Sequence, residues 1–228
     1  MAELPDRADA EAKLAREIGA LLKVQMGRLL ELLGDPPDLE GVTDAFWKQA
    51  AAELQAALAK HMQNVFLTNA QQLLEAQPIG VEWGLVNEGA AQWARGASFD
   101  LIRGLNQTSR RAVQEAVASF FEQQLTMADL RRRLAQVFGP LRADMIASTE
   151  VTRAAVEGER ALVALLEQQG APVKEIRWLT NRDELVCPIC LPLDGMAREP
   201  GGYQHPGGRV YDRPPAHTRC RCAERHFF

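Results

Sequence analysis

The chain has 228 residues, of which 46% are hydrophobic and 25% are charged, and this composition is typical of a globular protein. It excludes collagen-like, mucin-like and wholly disordered chains. The 26 basic and 30 acidic residues give a net charge of −4, which argues against free, high-affinity binding of duplex nucleic acid through a dense basic surface.

Two amphipathic helices are predicted in the first third of the chain. Apolar residues recur at helical spacing from about Asp9 to Leu33, after which a Gly-Asp-Pro-Pro sequence ends the first helix. Thr43 or Asp44 can cap a second helix, whose apolar stripe continues to about Glu75. Pro78 follows and stops it.

The middle of the chain predicts further helices with one interruption. A short helix over about Trp83 to Ala97 contains three glycines, each of which weakens a helix by roughly 1 kcal/mol relative to alanine. The glycine-interrupted stretch near Gly96 to Gln107 is therefore the predicted domain boundary. Thr108 and Thr126 then cap two helices, and a long helix follows a Gly-Pro pair from about Leu141 to Gln169.

The C-terminal part has a different composition. The sequence VKEIRW alternates like a strand, and only GRVY and the last few residues predict further short strands. The segment that follows VKEIRW is rich in proline and glycine. Its roughly 50 residues contain too few apolar side chains to hold one conformation by burial alone. An additional stabilising element is required.

All four cysteines lie in this segment. Cys187 and Cys190 form a C-P-I-C knuckle, and His217, Cys220 and Cys222 follow after 26 intervening residues. Tetrahedral zinc takes two such pairs of ligands, at roughly 2.3 Å for each Zn–S bond. Either all four cysteines bind, or the histidine replaces one of the last two cysteines, and spacing does not decide between these sets. The alternative is a pair of disulfides or four reduced thiols.

The predicted fold is mainly α. A helical N-terminal region, residues 1–105, precedes a domain of residues 106–228, whose helical body ends in a small, loop-rich α+β module at about 178–228. Structural zinc binds with apparent energies of ~10–16 kcal/mol, so metal loss is expected to unfold the chain beyond about Trp178.

No enzymatic activity is predicted. A zinc ion with four protein ligands has no open position for water, and the deaminase and metalloprotease signatures are absent from the sequence. The first residues carry no apolar block, and no apolar run approaches the ~18–20 residues that span a bilayer. We therefore expect a chain that has no signal peptide and makes no membrane contact.

A polar band interrupts the apolar pattern of the long helix, which indicates that the helix meets a polar partner segment or lines an interface. The band consists of Ser148, Thr149, Glu150, Thr152 and Arg153. Within it, Glu150 and Arg153 can pair one turn apart. Farther along, Trp178 is predicted to be a core aromatic residue, and Asp183 a turn residue that caps the approach to the knuckle.

Three motifs in this order resemble one known family. They are T-E-x-x-R-A, W-x-T-x-x-D-x-x-V-C-x-x-C-x-x-L-x-G and P-P-x-H-x-x-C-R-C, and the likeness covers about Thr126 to Cys222. The chain resembles the phage head-morphogenesis family, the minor head proteins similar to protein F of phage Mu. The matching residues are Thr149, Glu150, Arg153, Ala154, Trp178, Thr180, Asp183, Val186, Cys187, Cys190, Leu193, Gly195, Pro214, Pro215, His217, Cys220, Arg221 and Cys222.

The resemblance implies a structural minor head (capsid) protein of a tailed phage or prophage. Such a protein lies in the virion, in the head interior or portal region, and in the host cytoplasm during assembly. Its partners are the portal protein and other head proteins and, in some members, packaged DNA, whose delivery it assists. The resemblance does not extend to residues 1–105, which are expected to make the partner contacts. The alternatives are a zinc-stabilised nucleic-acid-binding module and an enzyme or toxin of the same family; oligomeric state and copy number stay open.

Overall fold

The computed structural model describes residues 7–76, 83–170, 173–181 and 183–228. Within these residues the chain forms five α-helices followed by four short strands, so the predicted, mainly helical fold is confirmed. The elements are α1 (Arg7–Leu33), α2 (Asp44–Ala76), α3 (Trp83–Glu122), α4 (Met127–Phe138), α5 (Pro140–Gln168), β1 (Glu175–Leu179), β2 (Tyr203–Gln204), β3 (Val210–Tyr211) and β4 (Ala223–Phe227). None of the described helices combines the length and apolarity needed to cross a bilayer.

Four of the predicted helices are confirmed within one or two residues of their expected bounds, namely α1, α2, α4 and α5. The start of α4 shows the predicted cap. Thr126 Oγ1 accepts a hydrogen bond from Asp129 N at 3.2 Å, and Asp129 Oδ2 accepts one from Thr126 N at 3.0 Å. This reciprocal capping box satisfies two backbone donors that the helix itself leaves unpaired.

The prediction of a break near Gly96 to Gln107 is wrong. Trp83–Glu122 is one continuous helix, and Thr108 caps nothing: its hydroxyl donates to the carbonyl of Gly104 within α3 at 2.9 Å. The glycines weaken the helix locally, but tertiary burial on both sides of them stabilises it more. The buried apolar residues of α3 include Val86, Ala90, Ala94, Ile102, Val113 and Val117.

By its contacts the chain divides into two units, each assembled from separate stretches of sequence. Unit 1 comprises Met1–Glu11, His61–Trp93 and Ser148–Phe228, and unit 2 comprises Ala12–Lys60 and Ala94–Ala147. This division does not coincide with the expected one between residues 105 and 106, which falls inside α3. Both the metal-ligand candidates and the polar band therefore belong to unit 1.

Unit 2 buries the apolar stripe of α1. In this unit Gln25 Nε2 donates to the carbonyl of Ala50 at 3.1 Å, and Arg28 Nη1 lies 2.9 Å from Glu53 Oε1. The contact with Arg28 holds the pKa of Glu53 below its ordinary value. Polar side chains of α1 and α2 thus join the two helices in a fixed register. The buried stripe consists of Leu14, Ile18, Leu22, Leu29 and Leu33.

Unit 1 contains two apolar clusters. One joins α2, α3 and α5 through Phe66, Ala70, Val86, Ala90, Leu162 and Leu166. Here α5 approaches α2 so closely that a Cβ at Gly158 would clash with the carbonyl oxygen of Phe66. The other cluster surrounds the cysteines and consists of Trp178, Cys190, Leu193, Tyr203, Cys220 and Cys222.

Two antiparallel strand pairs frame the cysteine cluster. β1 pairs with β4, with Glu175 opposite Phe227 and Leu179 opposite Ala223, and β2 pairs with β3. The strands predicted at VKEIRW, GRVY and the last residues are confirmed, whereas β2 was not predicted. The β1–β4 pairing brings the chain after Leu179 close to the chain before Ala223, so the two groups of metal-ligand candidates leave the same end of one strand pair.

Candidate metal centre

The five predicted ligands come together in two overlapping triplets. Cys187, Cys190 and His217 form one triplet, and Cys190, Cys220 and Cys222 form the other. Within each triplet the ligand atoms lie within 4.8 Å of one another. Cys190 belongs to both. The C-terminal part of the chain therefore has two Cys/His groups that can hold a metal ion, and they share one thiol.

The Cys190–Cys220 spacing fits metal coordination better than a disulfide. His217 Nε2 lies 2.9 Å from Cys187 Sγ and 3.2 Å from Cys190 Sγ, and Cys190 Sγ lies 3.7 Å from Cys220 Sγ. Two sulfurs on one tetrahedral zinc ion lie about 3.8 Å apart, whereas a disulfide bond is about 2.05 Å long. The described cysteines are free thiols. The Cys190–Cys220 spacing is that of one edge of a metal tetrahedron.

The knuckle is fixed by its own backbone. Cys190 N and Leu191 N both donate to the carbonyl of Cys187 at 3.0 Å, and Cys190 N also lies 3.4 Å from Cys187 Sγ. Asp183 begins this turn as predicted, since its Oδ1 accepts from Leu185 N at 3.0 Å. A short turn with a side-chain cap thus holds the first two thiols in place.

Asp183 also contacts the second group of ligands. Arg221, which lies between Cys220 and Cys222, places Nη2 at 2.8 and 2.7 Å from the two carboxylate oxygens of Asp183. This contact holds the pKa of Asp183 below its ordinary value. A charge-assisted pair therefore links the knuckle to residues 217–222, which we call the ligand segment.

The polar band of α5 meets the ligand segment. Thr149 Oγ1 accepts a hydrogen bond from Arg219 N at 3.0 Å, and Thr152 Oγ1 donates one to the carbonyl of Cys220 at 2.6 Å. Of the two interpretations of the band, a polar partner segment is confirmed at these two threonines. Their hydroxyls satisfy backbone groups that the irregular ligand segment cannot pair within itself.

The predicted pair within the band is confirmed and is separate from these contacts. Arg153 Nη1 lies 2.8 Å from each carboxylate oxygen of Glu150, whose side chain is 1% exposed. Burial raises the pKa of Glu150 to about 7, although the neighbouring Arg153 acts in the opposite direction. The structure thus places Thr149 and Asp183 in contact with the ligand segment, while Glu150 and Arg153 pair with each other on α5.

Trp178 is a core aromatic residue, as predicted. It is fully buried and packs edge-on against Tyr203, with 5.0 Å between the ring centroids. Its indole Nε1 is buried without a hydrogen-bonded oxygen or nitrogen acceptor among the described residues, and the indole interacts with the side chain of Cys222. Trp178 therefore packs its indole against the cysteine cluster, beside the side chain of Cys222.

Sequence reasoning missed a buried polar network beside the cysteine cluster. The Glu224 side chain is completely buried and accepts hydrogen bonds from Arg160 Nε at 2.7 Å, Arg160 Nη2 at 3.0 Å and the Tyr203 hydroxyl at 2.7 Å. Burial raises the pKa of Tyr203, which stays a donor. No sequence signal pairs Arg160 with Glu224, since 64 positions separate them.

A second missed carboxyl group predicts a pH dependence of stability. Glu159 Oε1 accepts from Asn69 Nδ2 at 2.7 Å, and burial raises the pKa of Glu159 from 4.5 to about 8. Because Glu159 and Glu150 both have raised pKa values, the folded state binds more protons than the unfolded chain above pH 4.5. The free energy of unfolding therefore falls as the pH rises from about 4.5 to 8. Burial lowers the pKa of His226 from 6.5 to about 4, which acts oppositely, but only below pH 6.5.

We therefore expect the free energy of unfolding to fall by about 1–2 kcal/mol per pH unit between pH 6.5 and 8, because each of the two carboxyl groups contributes at most ~1.4 kcal/mol per pH unit and Glu150 loses its proton before Glu159 does. Urea unfolding of the zinc-saturated chain measures it. Glu159→Gln should flatten the slope, whereas Glu31→Gln, at an exposed position of α1, should not. The difference between variant and wild type at each pH removes the contribution of metal binding. Equal slopes in Glu159→Gln and wild type would contradict the assignment.

The geometry defines a class of site: a Cys/His centre near the C terminus that can hold a metal ion. Comparison of the chain with protein-family models, with curated proteins and with solved structures finds no match.

Proposed function

We propose that the chain binds one structural zinc ion in its C-terminal module. The observation that carries this proposal is the convergence of five thiol and imidazole donors in two triplets that share Cys190. Thiolates and imidazoles are the ligands that structural zinc prefers. The three short contacts between ligand atoms connect Cys187, Cys190, His217 and Cys220, and these four are the proposed ligands; Cys222, within 4.8 Å of Cys190 and Cys220, is a fifth donor. When bound, the ion supplies four fixed bonds in place of a larger apolar core.

We further propose that the protein is a minor head protein of a tailed phage or prophage, which acts with the portal in head assembly. Two sets of observations support this role. The motif residues Asp183 and Arg221 link the knuckle to the ligand segment, and Thr149 binds the backbone of the ligand segment, so the three form one structural unit rather than a scattered likeness. In addition, the helices before residue 105 expose large apolar side chains, among them Val24 and Leu32 of α1.

The proposed partner contacts of the N-terminal helices predict a loss of portal binding. Val24 and Leu32 are 56% and 42% exposed, so lysine at either position leaves the core intact and places a charge on the contact surface. We expect Val24→Lys and Leu32→Lys to lower co-purification with the portal protein of the same phage or prophage about tenfold or more, because a desolvated charge costs several kcal/mol.

The matched control lies outside this region. Leu185 is 75% exposed beside the knuckle, and Leu185→Lys should co-purify with the portal like the wild type. Circular dichroism verifies that all three variants fold. Retention of portal binding by both N-terminal variants, together with its loss in Leu185→Lys, would reverse the assignment of the contact surface.

A further inference from the structure

The first turn of α1 reaches the ligand segment through one buried arginine. Arg7 is 9% exposed, and its Nη1 donates to the carbonyl of Arg221 at 3.0 Å. Its Nη2 donates to the hydroxyl of Thr152, and its Nε lies 2.8 Å from Glu11 Oε1. The three nitrogens of one guanidinium thus have three different acceptors, a geometry that lysine cannot reproduce.

The ligand segment has one backbone hydrogen bond of its own, from Cys220 N to the carbonyl of His217, and three further backbone groups are bound by side chains outside it. Arg219 N is bound by Thr149, the carbonyl of Cys220 by Thr152, and the carbonyl of Arg221 by the first-turn arginine. The three bound groups follow one another between the ligand candidates His217 and Cys222. The positions of the sulfurs in this segment therefore depend on side chains that are not ligands themselves.

A cavity beside the ligand segment leaves space into which its backbone can move. A cavity of about 390 Å³ lies beside it in unit 1, lined among others by Arg7, Thr152, Arg221 and Cys222. Without the guanidinium, the carbonyl of Arg221 would lose a charge-assisted hydrogen bond and could turn toward this space. The neighbouring thiols would then leave the positions at which they share a metal ion with the knuckle.

We propose that Arg7 is a positioning residue of the metal centre, and that metal binding and docking of the first turn of α1 stabilise each other. This inference rests on the proposed zinc site. Residues outside the ligand shell that orient metal ligands commonly change metal affinity by about 10–100-fold when substituted. Because thermodynamic coupling is reciprocal, a residue that strengthens metal binding is itself held more firmly when the metal is bound.

The test measures zinc release from the full chain into the chromophoric chelator 4-(2-pyridylazo)resorcinol. We expect Arg7→Gln to release zinc about tenfold faster than the wild type, and Arg7→Lys to lie between them. Arg16→Gln, at an exposed position of the same helix, is the control and should release zinc at the wild-type rate. The Co²⁺ absorption spectrum of Arg7→Gln should keep its thiolate bands, since no ligand is removed.

A second arm measures the reciprocal effect by hydrogen exchange. Removing zinc from the wild type should speed exchange in residues 7–14, and in Arg7→Gln the same segment should exchange fast with or without zinc. Equal rates of zinc release from Arg7→Gln and Arg16→Gln would overturn the inference. So would a wild type in which zinc removal leaves the exchange rate of residues 7–14 unchanged. A wild-type chain that binds no zinc would overturn the zinc site itself, which separates the two failures.

Discussion

Removal of zinc from the full chain is expected to unfold residues from about Trp178 to the C terminus while the five helices stay folded. The buried core of this module consists of six side chains, of which Cys190, Cys220 and Cys222 are themselves ligand candidates. Zinc binding of ~10–16 kcal/mol exceeds what so small a core supplies. Hydrogen exchange with and without EDTA should show its largest change after residue 178, beside the smaller change expected in residues 7–14, and the helical circular dichroism signal should change little.

Single substitutions of the ligand candidates should differ in how much zinc binding they remove. Cys190 belongs to both triplets, so Cys190→Ser should lose stoichiometric zinc and show the exchange pattern of the metal-free chain. Cys222→Ser is the matched control, because the short contacts connect the other four donors, and it should retain one zinc ion. Native mass spectrometry reads the stoichiometry. A Cys190→Ser chain that keeps its zinc would contradict the proposed site. So would a wild type in which EDTA leaves hydrogen exchange after residue 178 unchanged.

Arg160→Ala is expected to lower the free energy of unfolding by about 3–5 kcal/mol without removing the metal. Arg160 forms two hydrogen bonds to Glu224, whose side chain is completely buried. Alanine would leave that carboxylate with the Tyr203 hydroxyl but without a compensating charge, and an uncompensated buried charge is strongly destabilising. Chemical unfolding of the zinc-saturated chain measures the loss.

Two controls separate this effect from the loss of any surface arginine. Arg132 is 76% exposed and pairs with Asp129, so Arg132→Ala should cost about 0–1 kcal/mol. Replacing Arg160 and Glu224 together, by methionine and leucine, removes both charges and should cost less than Arg160→Ala alone. A loss below ~1 kcal/mol in Arg160→Ala would show that the Glu224 carboxylate is not charged and buried as described.

Features that depend on interactions between neighbouring residues could be predicted from the sequence, whereas features that depend on contacts between distant residues could not. Helical periodicity and caps are local, so α1, α2, α4 and α5 could be predicted from their own residues, and so could the cap at Thr126, although not its reciprocal bond with Asp129. The break in α3 was wrong because the cost of glycine is local too, whereas the burial of Val86 and Ile102 that offsets it depends on distant parts of the chain. β2 has two residues and is too short for an alternating pattern.

The same limit applies to the candidate metal centre. The five ligand candidates carry their chemistry in the side chain, so their spacing predicted that they would converge. The role of Arg7 had no such signal, because it depends on a contact with Thr152 across 145 positions. The Thr149 and Thr152 contacts are intermediate: the polar band was visible in the helix, but its partner emerged only from the path of the chain after β3.

The role as a minor head protein is tested most directly in the particle. Quantitative mass spectrometry of gradient-purified, nuclease-treated phage heads should compare full heads with heads that have ejected their DNA. A minor head protein should be present at a few copies relative to the major capsid protein, and its loss on ejection would identify a protein delivered with the genome. Absence of the chain from both kinds of head would contradict the proposed role.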